Sequence, residues 1–323
     1  MCLAAFAIDL NRRFPLIVAA NRDEFFERPT ARLSWWTPES GGPAILSGRD
    51  LQAGGTWMGL TAEGRFGLVT NVRDAQQHPE PSAPSRGRIV PEWLAARERV
   101  DQFWMRTALS GYNGFNLLAA DFRRGECFWA SNQGGASPVR LERGLVGLSN
   151  ASLNTPWPKV EALKARLREA LEGEPSVESL AAALFNALAD RTEAPDYCAL
   201  PQTGAPHEWE RQLSAAFIRT SDLSYGTRCS TLIIAERVAR QTVTHVFERT
   251  FSPTGGMALM RRSLLKNWPP RYRDDAVPGE QAPVSELDPG DQALAAVPIK
   301  RSRVRSLLKP DLIKRRFPQA APG

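Results

Sequence analysis

Met1-Cys2-Leu3-Ala4-Ala5-Phe6-Ala7-Ile8-Asp9-Leu10-Asn11-Arg12-Arg13-Phe14-Pro15-Leu16-Ile17-Val18-Ala19-Ala20-Asn21-Arg22-Asp23-Glu24 contains two apolar runs around a polar turn. The runs, residues 3–9 and 15–20, flank Asn11-Arg12-Arg13 and read as an opening β-hairpin. With the turn centred near Asn11 or Arg12, paired positions sum to about 23–25, which sets Cys2 opposite residues 21–23. The apolar strand thus ends in Asn21, Arg22, Asp23 and Glu24 directly across from the thiol. Alternation along the strand puts Asn21 and Asp23 on one face and Arg22 on the other.

Outward from this hairpin the first half continues as short strands and tight turns. Residues 56–60 and 66–71 flank Glu63-Gly64, and residues 115–121 and 127–131 flank Arg124-Gly125. Residues 145–150 follow a turn at Arg143-Gly144. Helical spacing appears over 91–109 and again over 159–171, where Leu163, Leu167 and Leu171 recur every four residues. Residues 178–189 form another helix, with Ser176 placed to cap it, and 207–219 a further one. Strands return at 229–235 and 242–249. Strands, helices and strands in that order imply an α+β fold, its helices segregated from two largely antiparallel sheets. Beyond Trp268-Pro269-Pro270 the chain is rich in proline, charge and small residues, which divides it into a domain of 1–269 and a loosely ordered extension of 270–323.

The chain has 323 residues, 42% hydrophobic and 24% charged, an ordinary globular composition. No run approaches the roughly 18 apolar residues of a membrane span, and the start lacks a basic leader, so a cytoplasmic protein is expected. The net charge of +6 resides in the tail: residues 299–317 carry eight Lys and Arg against Asp311, leaving the rest of the chain at −1. Such a tail is a solvated extension that can touch anionic surfaces, not a specific reader of nucleic acid. Cys2, Cys127, Cys198 and Cys229 are too widely spaced for a zinc site and are expected as thiols, with Cys127 and Cys229 buried in strands.

Cys2 stands apart because removal of Met1 leaves a thiol and an α-amine on one residue. Their reference pKa values, about 8.5 and 7.7–8.0, are close enough for the amine to take the thiol proton and return it to a leaving group. Asp23 is placed to hold that amine, and Asn21 to organise the backbone around it. Asn71 and Asn150 each end an apolar segment, and their amides suit stabilisation of a tetrahedral oxyanion. Arg228, just before a buried strand, is a candidate to bind an acidic group or support Asp23. Trp57, like Trp35 and Trp36, is a candidate wall for a pocket.

These features together resemble one family. Met1-Cys2, Ala20-Asn21-Arg22-Asp23-Glu24, Gly54-Gly55-Thr56-Trp57, Gly67-Leu68-Val69-Thr70-Asn71, Gly147-Leu148-Ser149-Asn150 and Tyr225-Gly226-Thr227-Arg228 look like the NRDE family, that of the transport and Golgi organisation proteins. This family is similar to N-terminal-nucleophile hydrolases, and the resemblance implies a four-layer αββα sandwich. By that analogy Cys2, Asp23, Asn71, Asn150 and Arg228 are the catalytic set, and Asn21, Arg22, Glu24 and Trp57 line the substrate site. The chain departs from the hydrolases at Ala20, where they carry arginine, and Arg22, facing away from Asp23, is not expected to replace it. The implied activity is hydrolysis of a non-peptide amide bond in a small amphipathic substrate. The alternative is a carrier without turnover for haem or acyl-CoA lipids in the same cleft. No cofactor is required by either; haem would be a bound ligand, with His78, His207, His245 and the cysteines as the evident axial candidates.

Overall fold

The computed structural model describes residues 2–270, apart from 75–78, 136, 174, 197 and 199. Its strands are β1 (Cys2–Ile8), β2 (Leu16–Phe25), β3 (Thr30–Trp36), β4 (Ile45–Asp50), β5 (Met58–Thr61) and β6 (Arg65–Asn71). Helices α1 (Ile89–Ala95) and α2 (Val100–Ala108) precede β7 (Phe115–Asp121), β8 (Glu126–Ser131), β9 (Val139–Arg140) and β10 (Gly144–Leu148). Helices α3 (Pro158–Leu171), α4 (Val177–Leu188) and α5 (His207–Gln212) lead to β11 (Tyr225–Val238), β12 (Gln241–Phe251) and β13 (Met257–Lys266).

The strands form two antiparallel sheets. One has six strands in the order β10-β1-β2-β11-β12-β13, the other seven in the order β3-β4-β5-β6-β7-β8-β9. Phe6, Val18, Phe66, Leu118 and Ile233 belong to a core shared between the sheets. On the outer face of the first sheet, Leu3, Ile17 and Leu232 pack against Leu163 and Leu167 of α3 and Leu180 and Leu184 of α4. On the outer face of the second, Ile45, Val69 and Leu117 pack against Trp93 of α1 and Phe103 of α2. The fold is therefore four layers, αββα. This arrangement explains why β2 reads as a continuous apolar run: Leu16, Val18 and Ala20 face the other sheet while Ile17 and Ala19 face the helices.

The opening hairpin has the expected register, with Cys2 opposite Arg22, Ala4 opposite Ala20 and Ile8 opposite Leu16. Three features differ from expectation. The helix expected over 91–109 is two helices, broken at 96–99, because Trp93 and Phe103 must both reach one core around that bend. The helix expected over 207–219 stops at Gln212, since residues 213–218 dive into the core and the Phe217 N–H donates to the Asp190 carbonyl at 2.7 Å. Strands β3, β4 and β13 were not expected. β13 is an edge strand whose outward residues Met257, Met260 and Leu264 are exposed, which leaves no simple alternation to read. Ser176 caps α4 as expected, accepting from the Ser179 N–H at 3.1 Å. Among the described residues, no helix is long and apolar enough to cross a membrane.

Candidate active site

β1 begins at Cys2 in the middle of the first sheet, at the end where β2 turns polar. Directly opposed residues of an antiparallel pair share a face, so Cys2 and Arg22 both point toward the second sheet. There they line a cavity of about 380 Å³ with Asp23, Glu24, Trp57 and Asn71. The Arg22 guanidinium is nearly buried, lies 4.4 Å from the centre of the Trp57 ring and reaches Glu24 at 3.7 Å and the Thr30 hydroxyl at 3.2 Å. Arg22 was expected to line the substrate site on the face away from Asp23, and it lies there. The alternation that separates it from Asp23 also places it on the face of Ala20, beside the thiol.

Asn21 and Asp23 share the opposite face, as expected. Asn21 is buried under the helices; its amide donates to the Leu188 and Ala216 carbonyls, both at 2.8 Å, and its oxygen accepts from Ser230 at 2.6 Å. It fixes strand and helix layer together and does not line the cavity. Asp23 Oδ1 accepts from the Thr227 hydroxyl at 2.7 Å, and its backbone carbonyl accepts from the Tyr225 hydroxyl at 3.0 Å. Burial raises the Asp23 carboxyl above its ordinary value, opposed by the fields of Lys159 and Arg22 and by the Thr227 hydroxyl. Burial likewise raises the Cys2 thiol, with Asp23 and Glu24 adding to the rise and Arg22 opposing it.

Asn71 lines the cavity, and Asn150 supports it from behind. The Asn150 amide donates to the Asn71 carbonyl at 2.8 Å, and Ser149 beside it donates to the Cys2 carbonyl at 3.0 Å. The Asn150 side chain is thus turned to the backbone and does not reach the cavity. Arg228 also departs from expectation. It is the extra residue of a β-bulge between Thr227 and Cys229, which swings its guanidinium to the Phe25 and Arg28 carbonyls at 2.7 and 3.0 Å. It lines a separate cavity of about 150 Å³ on the far side of Trp57 and supports neither Cys2 nor Asp23.

Several residues of the site were not singled out from the sequence. Lys159, at the head of α3, is buried with its ammonium on the Leu213 carbonyl at 2.7 Å; burial pulls it down to about 8, and Asp23 partly restores it. Its signal was legible in principle, since Lys159 leads the stripe of Leu163 and Leu167 and puts a cation on the apolar face. Arg73 pairs with Glu210 at 3.0 Å beside it. Across the cavity, the loop of residues 79–87 brings in three prolines and Arg86. It is held by Asn113, whose side chain grips the Glu80 backbone at 2.8 and 3.0 Å, and by the Thr56 N–H on the Gly87 carbonyl at 2.9 Å.

His207, His245 and the Trp35-Trp36 pair do not join this cavity. His245 lies on β12 with Nδ1 2.7 Å from Arg262, His207 is exposed at the start of α5, and His78 lies outside the described residues. Trp35 packs into the core between the sheets, and Trp36 donates to Ser47 at 2.8 Å.

The residues that build this cavity lie within a match to one family model, Transport and Golgi organisation 2, over residues 1–253. The chain belongs to that family. It is 33% identical over 260 residues to the mouse Transport and Golgi organization 2 homolog, covering 76% of this chain and 92% of that one. It is 34% identical to the bovine protein with the same coverage, and 24% identical over 288 residues to the Drosophila melanogaster protein, covering 78% and 93%. Among solved structures it is similar to a mutant conjugated bile acid hydrolase from Clostridium perfringens, with TM-score 0.45, 9% identity and coverage of 81% and 92%. It is also similar to a Caenorhabditis elegans N-acylethanolamine-hydrolyzing acid amidase ortholog, with TM-score 0.38, 12% identity and coverage of 72% and 92%. Likenesses so slight carry no functional weight, and the four-layer fold rests on the strand order. β13 and Trp268 lie beyond the family match, yet Trp268 is buried and donates to the Thr61 carbonyl at 2.9 Å.

Proposed function

We propose that this protein hydrolyses a non-peptide amide bond of a small substrate, with Cys2 as nucleophile after removal of Met1. The observation that carries this reading is the thiol of a strand-end residue on a cavity wall, with Arg22 beside it and Asp23 buried on the other face of the same hairpin. Burial holds the thiol protonated, so attack needs a base, and the α-amine of Cys2 is the nearest group able to serve once it is free. Asp23 orients that amine, and the field of Lys159 opposes the burial that raises the Asp23 carboxyl.

In the acylation step the thiol proton passes to the amine while sulfur bonds to the substrate carbonyl carbon. The C–N bond then breaks as the proton passes to the departing nitrogen, which leaves as an amine. Water next attacks the thioester, releasing a carboxylic acid and restoring the thiol. The Asn71 amide faces the oxyanion of both tetrahedral intermediates, and Asn150 acts through it as a positioning residue.

The test is turnover of a panel of short N-acyl amides by Met1-free protein, with products followed by mass spectrometry. The expected result is amine and acid in equal amounts from the native protein, and a loss of at least about a thousandfold in Cys2→Ala. Saturable ligand binding that survives Cys2→Ser, with no product from any amide, would make the protein a carrier instead.

A further inference from the structure

Among the described residues, each cation lining the Cys2 cavity meets a carboxylate, with one exception. Arg22 meets Glu24 at 3.7 Å, and Arg28 meets Asp50 at 2.7 Å through two nitrogens on one carboxylate oxygen. Asp23 has Thr227 and the field of Lys159. Glu80 turns its carboxylate back onto its own loop, accepting from the Ser82 N–H and hydroxyl at 3.0 and 2.8 Å. Arg86 alone among the cavity's cations has no carboxylate within salt-bridge distance among the described residues.

Arg86 is nevertheless held in place. Its Nη1 donates to the Gly114 carbonyl at 3.0 Å, and the backbone on either side is fixed, with Gly87 on Thr56 and the Arg88 N–H on the Ser85 carbonyl. One bond to a carbonyl leaves most of its five N–H donors free, in the fork geometry that matches a carboxylate. The guanidinium is close enough to feel both Glu24 and Cys2. A preorganised, part-buried guanidinium on the wall of a cavity, with no counter-ion among the described residues, is a receptor for an anion.

We infer that the cavity takes a substrate bearing a carboxylate, that Arg86 binds this group, and that the amide attacked by Cys2 therefore belongs to a short N-acyl amino acid or similar acidic amide. The inference rests on the amidohydrolase reading and adds to it the class of substrate. Size agrees: about 380 Å³ holds a compact ligand but not a long acyl chain, and the lining is mostly polar or charged, its apolar part being Trp57, Val69 and the loop's prolines and alanine.

A pair of alkylating reagents of nearly equal size, iodoacetate and iodoacetamide, isolates the anion preference from hydrolysis. In either case the Cys2 sulfur bonds to the methylene carbon, the C–I bond breaks, iodide leaves and the thiol proton goes to solvent. Exposed Cys198 supplies an internal reference. Peptide mass spectrometry gives the iodoacetate-to-iodoacetamide rate ratio at each cysteine, and taking the ratio cancels any change in thiolate fraction. The expected ratio at Cys2 exceeds that at Cys198 by at least about tenfold, falls to within about twofold of it in Arg86→Gln, and is partly restored in Arg86→Lys. Equal ratios at the two cysteines in the native protein, or a Cys2 preference unchanged in Arg86→Gln, would overturn the inference. If Cys2 takes neither reagent, the nucleophile itself is wrong, and calorimetry with N-acetylglycine decides the anion site alone. Binding to native protein that is lost in Arg86→Gln upholds it, and no binding to the native protein, or equal binding to both, overturns it.

Discussion

Glu248 illustrates how one side chain links the core beside the site to pH. It lies on β12 facing the other sheet, where it accepts from the Leu33 N–H at 2.7 Å. Burial pushes its carboxyl up to about 7, against the opposing effects of that bond and of Arg261 and Arg22. The folded chain therefore holds this proton more tightly than the unfolded chain does. The resulting stability is full below the ordinary carboxylate range and is lost as pH rises through about 7, on the order of 3 kcal/mol in all. Glu248→Gln keeps the shape and removes the titration. The unfolding free energy of native protein, measured in denaturant, is expected to fall relative to Glu248→Gln between about pH 5 and pH 8. Parallel profiles for the two proteins would refute this. At the same scale, Asp23 and Cys2 were legible from the sequence because register and alternation are local. Arg228 misled because a β-bulge is not: the extra residue turns the side chain away, and no pattern within β11 announces it.

Among the elements, the loop of residues 79–87 completes the cavity, and its packing explains Gly55 in Gly54-Gly55-Thr56-Trp57, while Gly54 serves a turn at φ +73°. A Cβ at Gly55 would stand 2.0 Å from the Gly87 carbonyl oxygen, backbone against backbone, with no flexible side chain to yield. Gly55→Ala must therefore push the loop outward. The expected cost is about 1–3 kcal/mol in unfolding free energy, with faster labelling of Cys2 as the cavity opens. A variant as stable as the native protein with unchanged labelling would show that the loop is not packed as described. The glycine pair was visible in the sequence, but the purpose of Gly55 was not, because the surface it meets lies some thirty residues further along the chain. Tyr225-Gly226-Thr227-Arg228 is similar. Its working members are Tyr225 and Thr227, which hold Asp23, and a Cβ at Gly226 would lie 2.6 Å from the Ile218 carbonyl.

At the scale of the whole molecule, the four-layer sandwich covers the strands β1 and β2 on both faces, and the candidate site sits where they end. The alternating and doubly apolar strands carried that architecture in the sequence. β3 and β4 escaped because Ser34, Ser47, Gly48 and Arg49 interrupt their patterns, and their pairing shifts register between Ala31 and Ser34. Lys159, Arg73 and Glu210 come from elements distant in sequence and meet only when α3, α5 and the segment after β6 close over the first sheet. The proposed amide hydrolysis has one requirement, a free amine on the residue that carries the thiol. The most direct measurement is the rate at which an activated ester acylates Cys2 at pH 7 in Met1-free protein and in protein that retains Met1, with processing checked by intact mass. A rate at least about a hundredfold higher in the Met1-free form is predicted, since only there does the amine of Cys2 act as base. Equal rates in the two forms would contradict the account.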